Sequence, residues 1–239
     1  MKVPPRPPTT RLNVICCGNC PALARSIFRS VSSRARDAVQ AHRVDVASEK
    51  GKNVPLKHGS ADGFVCIRSG YAKVMYKYAG LARPVCICGP GDLVGYGYWH
   101  CDDRLALEAL EDVGACFFTR TDFEALVREE PEMSEELRKV LCRNALQKAE
   151  RIGMLQSRSV HSRVAGLLAS LERKFGERAS NGSRIPVGDR ETLAALSGTV
   201  VETLARVLTQ FEENGWIVRE GRRLRVRNTN ALNALANSS

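Results

Sequence analysis

Glu202 and Arg206 stand four residues apart in a segment with helical periodicity, so their side chains share one outer face of a predicted helix. An arginine can donate two hydrogen bonds to guanine N7 and O6 in the major groove of DNA, and a carboxylate can accept one from cytosine N4. The same spacing also produces ordinary ion pairs on solvated helices, which contribute only about 0.3–0.5 kcal/mol. The surrounding sequence favours base recognition.

Cysteines form a second group of residues that could do chemistry. Cys16, Cys17 and Cys20 are clustered near the N-terminus, and Cys116 follows much later. Thiolates that converge on one centre bind zinc or iron–sulfur clusters. Three alternatives remain open at this point: unreactive thiols on an arm, a thiol switch, or a thiol redox enzyme that uses Cys17 and Cys20. The last lacks the βαβ setting that such a motif needs.

The other cysteines lie in apolar stretches that read as strands or helices. We expect most of them to be small buried hydrophobic residues. These are Cys66, Cys86, Cys88, Cys101 and Cys142.

The elements that position Glu202 and Arg206 are predicted to form a winged helix-turn-helix. Residues 189–214 read as two helices separated by Ser197-Gly198, and residues 216–226 read as a short hairpin with a turn glycine at Gly221. The arginines of the hairpin, including Arg222 and Arg223, suit DNA phosphates. The apolar residues predicted to face the domain core are Val200, Leu204, Val207, Leu208 and Phe211.

A long helix is predicted upstream, at about residues 133–158. It carries an apolar stripe at spacings of three and four residues, which favours self-association through a twofold dimer. The stripe consists of Leu137, Leu141, Ala145, Ala149 and Ile152. Before this helix, residues 44–118 contain short apolar runs separated by glycines, which predict a small antiparallel barrel or roll.

Composition is consistent with a nucleic-acid partner. The 239 residues carry a formal net charge of +10, and the length suffices for two domains. Prolines occupy the N-terminal stretch where a secretory signal needs apolar residues, and no membrane span is evident, so we expect a cytoplasmic protein without structural disulfides. Walker-type loops and the GxSxG and HExxH motifs are absent, so we do not expect an enzyme.

The order and spacing of several segments resemble the CRP/FNR superfamily of transcription regulators, named after the cyclic-AMP receptor protein and the fumarate-nitrate regulator. The segments are IRSG at 67–70, GDLVG at 91–95, the long helix, and TVVETLAR at 199–206. The resemblance is nearest to the fumarate-nitrate type. It implies an α+β fold with an N-terminal antiparallel β-roll of the cyclic-nucleotide-binding type, a long dimerisation helix and a C-terminal winged helix-turn-helix. The predicted domain limits are 1–20 for a basic arm, 21–130 for the roll, 131–158 for the dimerisation helix and 159–239 for the DNA-binding domain.

The same resemblance implies a homodimer that binds palindromic double-stranded DNA and acts with RNA polymerase. Glu202 and Arg206 fall on the positions that read the conserved G·C pairs of each half-site, and Val201 favours a TGA-like core. Ala205 departs from both branches of the family, so the outer bases stay open. The predicted DNA contacts are Thr199, Val201, Glu202, Ala205, Arg206, Arg222 and Arg223.

For sensing, the resemblance implies an oxygen-labile [4Fe-4S] cluster held by three N-terminal cysteines and one in the roll. Cys16, Cys17, Cys20 and Cys116 are the predicted ligands. The chain departs from the family at the third N-terminal cysteine, because Arg25, Ser26 and Ile27 occupy that region and Cys16 must substitute. A thiol switch, haem, a small ligand in the roll, or an adaptor without an effector remain alternatives. Cyclic nucleotide is disfavoured because Asp92 and the segment after Arg104 lack the family's phosphate-binding residues.

Overall fold

A computed structural model describes residues 17–95, 104–157, 159–221 and 223–238 of the chain. The N-terminal part begins with short 3-10 turns and helix α1 (Ser33–His42). Strands of the roll follow: β1 (Val44–Ser48), β2 (Lys57–His58), β3 (Ala61–Ser69), β4 (Ala72–Tyr78), β5 (Leu81–Cys88), β6 (Leu93–Val94), β7 (Leu105–Ala109) and β8 (Val113–Thr119). Helices α2 (Arg120–Glu129) and α3 (Pro131–Gln156) come next.

The roll strands form two sheets. One has the order β1-β8-β3-β2 with β6 also paired to β3, and the other has the order β5-β4-β7. Phe64 of β3 and Phe118 of β8 are partners across antiparallel strands, so both point into the same core. Phe123 of α2 packs edge-on against Phe64, with ring centroids 4.2 Å apart. This aromatic core holds α2 against the sheet that carries Cys66 and Cys116.

The turn between β3 and β4 requires glycine. Gly70 has φ +76°, and a Cβ there would lie 2.2 Å from the carbonyl oxygen of Asp112. The backbone therefore passes too close for any side chain, which explains why the IRSG segment ends in this residue.

The C-terminal part contains the winged helix-turn-helix. Its helices are α4 (Val160–Phe175), α5 (Arg190–Leu196), α6 (Val201–Glu213) and α7 (Thr229–Asn237), and its strands are β9 (Glu177–Ala179), β10 (Gly182–Pro186), β11 (Ile217–Glu220) and β12 (Arg223–Val226). The four strands form one sheet in the order β11-β12-β10-β9. The predicted fold class, with its roll, long helix and winged helix-turn-helix, is confirmed.

Tertiary contacts divide the chain into two compact units. The first comprises residues 1–75 and 87–140, and the second comprises residues 76–86 and 141–239. The division falls inside α3 and differs from the predicted limits, which stay a prediction. In the described ranges, no helix combines the length and the apolar character needed to cross a membrane.

Candidate nucleic-acid interface and cysteine site

The turn between α5 and α6 is built from local hydrogen bonds. Asp189 caps α5, because its Oδ1 accepts a hydrogen bond of 2.6 Å from the backbone N–H of Thr192. The fully buried Ser197 donates its hydroxyl to the carbonyl oxygen of Leu193 at 2.8 Å, and Gly198 follows with φ +62°. A left-handed residue here ends α5 and lets α6 begin three residues later.

The inner face of α6 packs largely as predicted. Leu204, Val207, Leu208 and Phe211 are buried, and the aromatic ring of Phe211 lies 5.3 Å from that of Trp216. The prediction for Val200 is wrong, since its side chain is 61% exposed. Val200 precedes the first turn of α6 in extended conformation, so helical periodicity does not apply to it.

The outer face of α6 presents Glu202 and Arg206 to solvent. Both side chains are exposed, and neither has a hydrogen bond or an ion pair with any residue that the structure describes. The ordinary i, i+4 pair that the spacing also allowed is therefore not formed. Thr199, Val201 and Ala205 flank this pair and are half-buried.

The arginines of the hairpin behave differently, because several are in ion pairs within the domain. Arg223 contacts Glu177 (Nη1 to Oε2, 3.1 Å), and Arg184 contacts Glu220 (Nε to Oε2, 2.9 Å). Arg225 also pairs with Glu220. Arg222, another predicted phosphate contact, lies outside the described residues. Phosphate binding by Arg223 would thus compete with an existing carboxylate partner.

Glu212 connects helix α6 to strand β11 of the hairpin. Its carboxylate accepts hydrogen bonds from the backbone N–H of Arg219 at 3.0 Å and from the Arg219 guanidinium Nε at 2.7 Å. These bonds, the backbone bond first, hold the pKa of Glu212 below its usual value of 4.5.

We expect Glu212→Gln to lower the stability of the protein at pH 7, by at most about 1 kcal/mol because the pair is partly exposed. A carboxyl whose pKa is depressed in the folded state stabilises above its unfolded pKa, and that contribution is lost as the pH falls through the folded pKa. The difference between wild type and variant in urea unfolding should therefore shrink below pH 4.5. A difference that stays constant down to pH 3 would contradict the role of this carboxylate.

Arg163 of α4 joins three backbone carbonyls. Its guanidinium donates to Ser157 at the end of α3 (2.8 Å), to Ser197 (2.9 Å) and to Gly198 (3.2 Å). The bonds are charge-assisted, and they satisfy carbonyl groups that the helix ends leave without partners. The sequence analysis did not identify this residue.

The exposed part of α3 carries large apolar side chains. Leu141, Ile152 and Leu155 are exposed and follow a heptad spacing with the exposed Ala145. Leu137 differs from the prediction, because it is buried in the core of its own chain with Phe123. The part of the predicted stripe that is open to a partner helix therefore begins at Leu141, and Leu155 extends it. The α3 seam, as the term is used below, consists of Leu141, Ala145, Ala149, Ile152 and Leu155.

In the first unit, two cysteines lie side by side on one sheet. Cys116 of β8 is the direct partner of Cys66 on β3 and of Asp45 on β1, so these three side chains form a row across the strands. Cys17 is buried in the same core cluster, and Ile27 is fully buried there as well. The backbone N–H of Cys17 donates to the Gln40 side chain at 3.1 Å, which anchors the N-terminal turn against α1.

Two buried arginines lie beside these thiols. The guanidinium of Arg43 donates to the Cys17 sulfur at 3.2 Å, and Arg68 Nη1 lies 3.0 Å from Asp45 Oδ1. The side chains of Arg43 and Arg68 are only 4% and 5% exposed. Arg68 Nε has no hydrogen-bond partner among the described residues, and its Nη1 contact with Asp45 lacks hydrogen-bond geometry.

Burial raises the pKa of the Cys116 thiol to about 12, although Arg68 and Arg43 act in the opposite direction. Burial also raises the pKa of Cys66 well above its usual value, and Cys116, Cys20 and Cys17 raise it further. Four sulfurs therefore lie close enough to influence one another electrostatically. In the part of the chain that is described, no three Cys, His, Asp or Glu side chains converge as a metal site requires.

The remaining cysteines are spread through the chain. Cys88 is buried and Cys86 is half-buried, whereas Cys142 is exposed on α3 and is an exception to the expectation that most of these cysteines are buried. Cys16 and Cys101 lie outside the described residues.

Asp92 has a local structural role. Its Oδ2 accepts a hydrogen bond of 2.9 Å from the backbone N–H of Gly89 and so closes the turn before β6.

Comparison with known proteins extends these observations. Residues 162–235 match the family model of the Crp-like helix-turn-helix domain. The chain is 24% identical over 234 residues to the transcriptional activator protein Anr of Pseudomonas protegens, a match that covers 93% of each protein. It is 27% identical over 215 residues to the CRP-like cAMP-activated global transcriptional regulator of Mycobacterium tuberculosis, which covers 88% of this chain and 96% of that protein.

The solved structure of a CooA mutant from Carboxydothermus hydrogenoformans has the same fold. Its TM-score is 0.68 at 19% identity, and the match covers 91% of this chain and 95% of that one. The names of the two curated relatives described above are those of transcription regulators. Only one of the two curated relatives is named for cyclic AMP, so similarity alone does not select an effector for this chain.

Proposed function

Because this chain is a transcription regulator of the CRP/FNR family with a Crp-like helix-turn-helix domain, we propose that it binds a palindromic DNA site as a cytoplasmic homodimer whose affinity depends on oxygen or redox state. The observation that carries the DNA half of this proposal is the unpaired, exposed pair Glu202 and Arg206 on α6. A contact with RNA polymerase completes the proposed role in transcription.

Base recognition follows from the chemistry of the two side chains. The Arg206 fork matches guanine N7 and O6, and the Glu202 carboxylate accepts from cytosine N4, so together they read neighbouring G·C pairs. Val201 beside them favours a TGA-like half-site. Since neither charged group must leave a partner in the protein, neither loses an internal ion pair when it meets a base.

Dimerisation is proposed through the α3 seam with a second copy of this chain. Leucine and isoleucine side chains exposed at heptad spacing lose contact with water when two such helices pair. In a twofold dimer each seam residue meets the same residue or its neighbour from the other copy. The two α6 helices would then be spaced to enter successive major grooves about 34 Å apart.

For the sensor we propose an iron–sulfur cluster with Cys17, Cys20 and Cys116 as three of its ligands. The chemistry of the donor set fits such a group, because thiols are soft ligands and Cys17 and Cys116 belong to one buried cluster of the first unit. The charge also fits, because among the described residues the buried guanidiniums of Arg43 and Arg68 share the carboxylate of Asp45, and Arg68 Nε lacks a hydrogen-bond partner there. Buried positive charge of this kind is compensated by an anionic group.

When bound, an iron–sulfur cluster supplies oxygen-sensitive redox chemistry. The chain's own residues would hold it and offset its charge. Cys17 and Cys20 connect the N-terminal turn to Cys116 on β8, while Arg43 and Arg68 neutralise the negative charge of the sulfurs. We expect DNA affinity to be high in this state and to fall after exposure to air.

The experiment is a selection of DNA sequences by the purified protein, prepared without oxygen and reconstituted with iron and sulfide. We expect a palindrome with G·C pairs in each half-site to be enriched. Affinity for that site should fall at least about tenfold after air exposure, which corresponds to about 1.4 kcal/mol. Enrichment of no palindrome contradicts the DNA proposal, and an affinity unaffected by air contradicts the redox proposal.

A further inference from the structure

The ligand set implied by the family is incomplete in this chain, because no cysteine occupies the region of the third N-terminal ligand. Ile27, at the end of the region where a third N-terminal cysteine is expected, is fully buried in the same core cluster as Cys17 and Cys116. An isoleucine side chain cannot bind metal. One more sulfur must come from elsewhere if the site holds an iron–sulfur cluster.

Cys66 is placed to supply that sulfur. It is the direct partner of Cys116 across antiparallel strands β3 and β8, so their Cβ atoms are about 4.5–5.5 Å apart on one face of the sheet. Cys66 belongs to the same buried cluster as Cys17 and Ile27. Its position therefore puts a fourth thiol among the other three without using the N-terminal arm.

Charges around Cys66 support the same conclusion. Arg68 follows two residues later on β3, and its buried guanidinium has an Nε–H without a partner among the described residues. Arg43 donates to the Cys17 sulfur and also pairs with Asp45. A group of neutral thiols leaves this positive charge in excess, whereas thiolates bound to iron balance it.

We propose that Cys66, together with Cys17, Cys20 and Cys116, completes the iron–sulfur site of this chain in place of Cys16. The assignment rests on the cluster proposed above. The sulfurs do not converge on one point in the described residues, so iron binding must draw the Cys17–Asn19 turn and the β3–β8 pair closer together. Such rearrangement is ordinary for sites whose formation is coupled to metal binding.

The experiment compares single variants of the full chain, each reconstituted with ferrous iron and sulfide without oxygen. Iron and acid-labile sulfide per chain are measured after desalting. Cys66→Ala should bind at least about fourfold less iron than wild type, while Cys16→Ala should bind as much as wild type. Cys88→Ala is the matched control, since Cys88 is also a buried strand cysteine and its thiol donates to the Ala72 carbonyl.

A second variant separates ligand loss from damage to the core. Ile27→Cys restores the family's third N-terminal cysteine, and we expect the double variant Cys66→Ala with Ile27→Cys to recover at least about half of the wild-type iron. Circular dichroism and Tm of the iron-free proteins show whether each variant is folded. A folded double variant that recovers no iron overturns the assignment of Cys66.

Other outcomes have separate meanings. Wild-type iron in Cys66→Ala with loss in Cys16→Ala overturns the assignment but leaves the proposed cluster standing. A wild-type protein that binds no iron overturns the cluster and the assignment together, while DNA selection still tests the rest of the proposed function.

Discussion

Replacement of Ile152 by glutamate is expected to raise the Kd of the dimer at least about 100-fold. Ile152 is 60% exposed in the single chain, although it is a large apolar residue on the α3 seam. Its burial in a dimer contributes about 1.5–3 kcal/mol per copy, and a twofold arrangement brings the two introduced carboxylates together near the axis. Loss of the dimer also removes simultaneous binding of two half-sites, which weakens DNA binding by about 10²–10⁴-fold.

Leu146→Glu is the matched control for this prediction. Leu146 is 65% exposed on the same helix, but it lies about 120° around the helix from Ile152. Sedimentation velocity and DNA titration should show a dimer for Leu146→Glu and a monomer for Ile152→Glu. Equal effects of the two substitutions would exclude the α3 seam as the dimer interface.

Arg206→Ala should cost about 1–3 kcal/mol of binding free energy in each half-site of the selected palindrome. Arg206 has no hydrogen-bond or ion-pair partner among the described residues, so we expect its loss to leave the fold intact and to remove contacts made to DNA. Affinity for DNA of random sequence should change little. Fluorescence anisotropy with the selected and the random duplex at the same salt concentration measures both quantities.

Arg206→Lys is the informative companion because it keeps the positive charge and loses the planar fork. We expect it to bind random DNA like wild type and to discriminate G·C poorly. An Arg206→Ala variant that loses affinity equally on both duplexes would show that Arg206 contacts phosphates instead of bases.

The sequence was a good guide where a regular helix determines which way side chains point. Four apolar residues of α6 are buried as its periodicity predicts, whereas Val200 is not, because it lies just before the helix begins. Leu137 shows a related limit. Periodicity groups it with Leu141, but only the fold reveals that Leu137 packs against the roll of its own chain.

Other parts of the candidate sites depend on strand pairing and could not be predicted from a single sequence. Cys66 and Cys116 are fifty positions apart, and nothing in their local sequences states that they face each other. The partners of Arg223 and Arg184 come from different strands for the same reason. The sequence places Arg25, Ser26 and Ile27 where the family has its third N-terminal cysteine, but the proposal of a strand residue in its place depends on the register of β3 and β8.

The guanidinium of Arg163 connects Ser157, the first residue after α3, to the turn before α6. It bonds to Ser157 on one side and to Ser197 and Gly198 on the other, so these backbone groups cannot rotate independently without breaking charge-assisted bonds. We therefore expect a rotation at the end of α3 to change the orientation of α6. Control of such a protein requires no change in the bases it recognises, only a change in the angle at which they are approached.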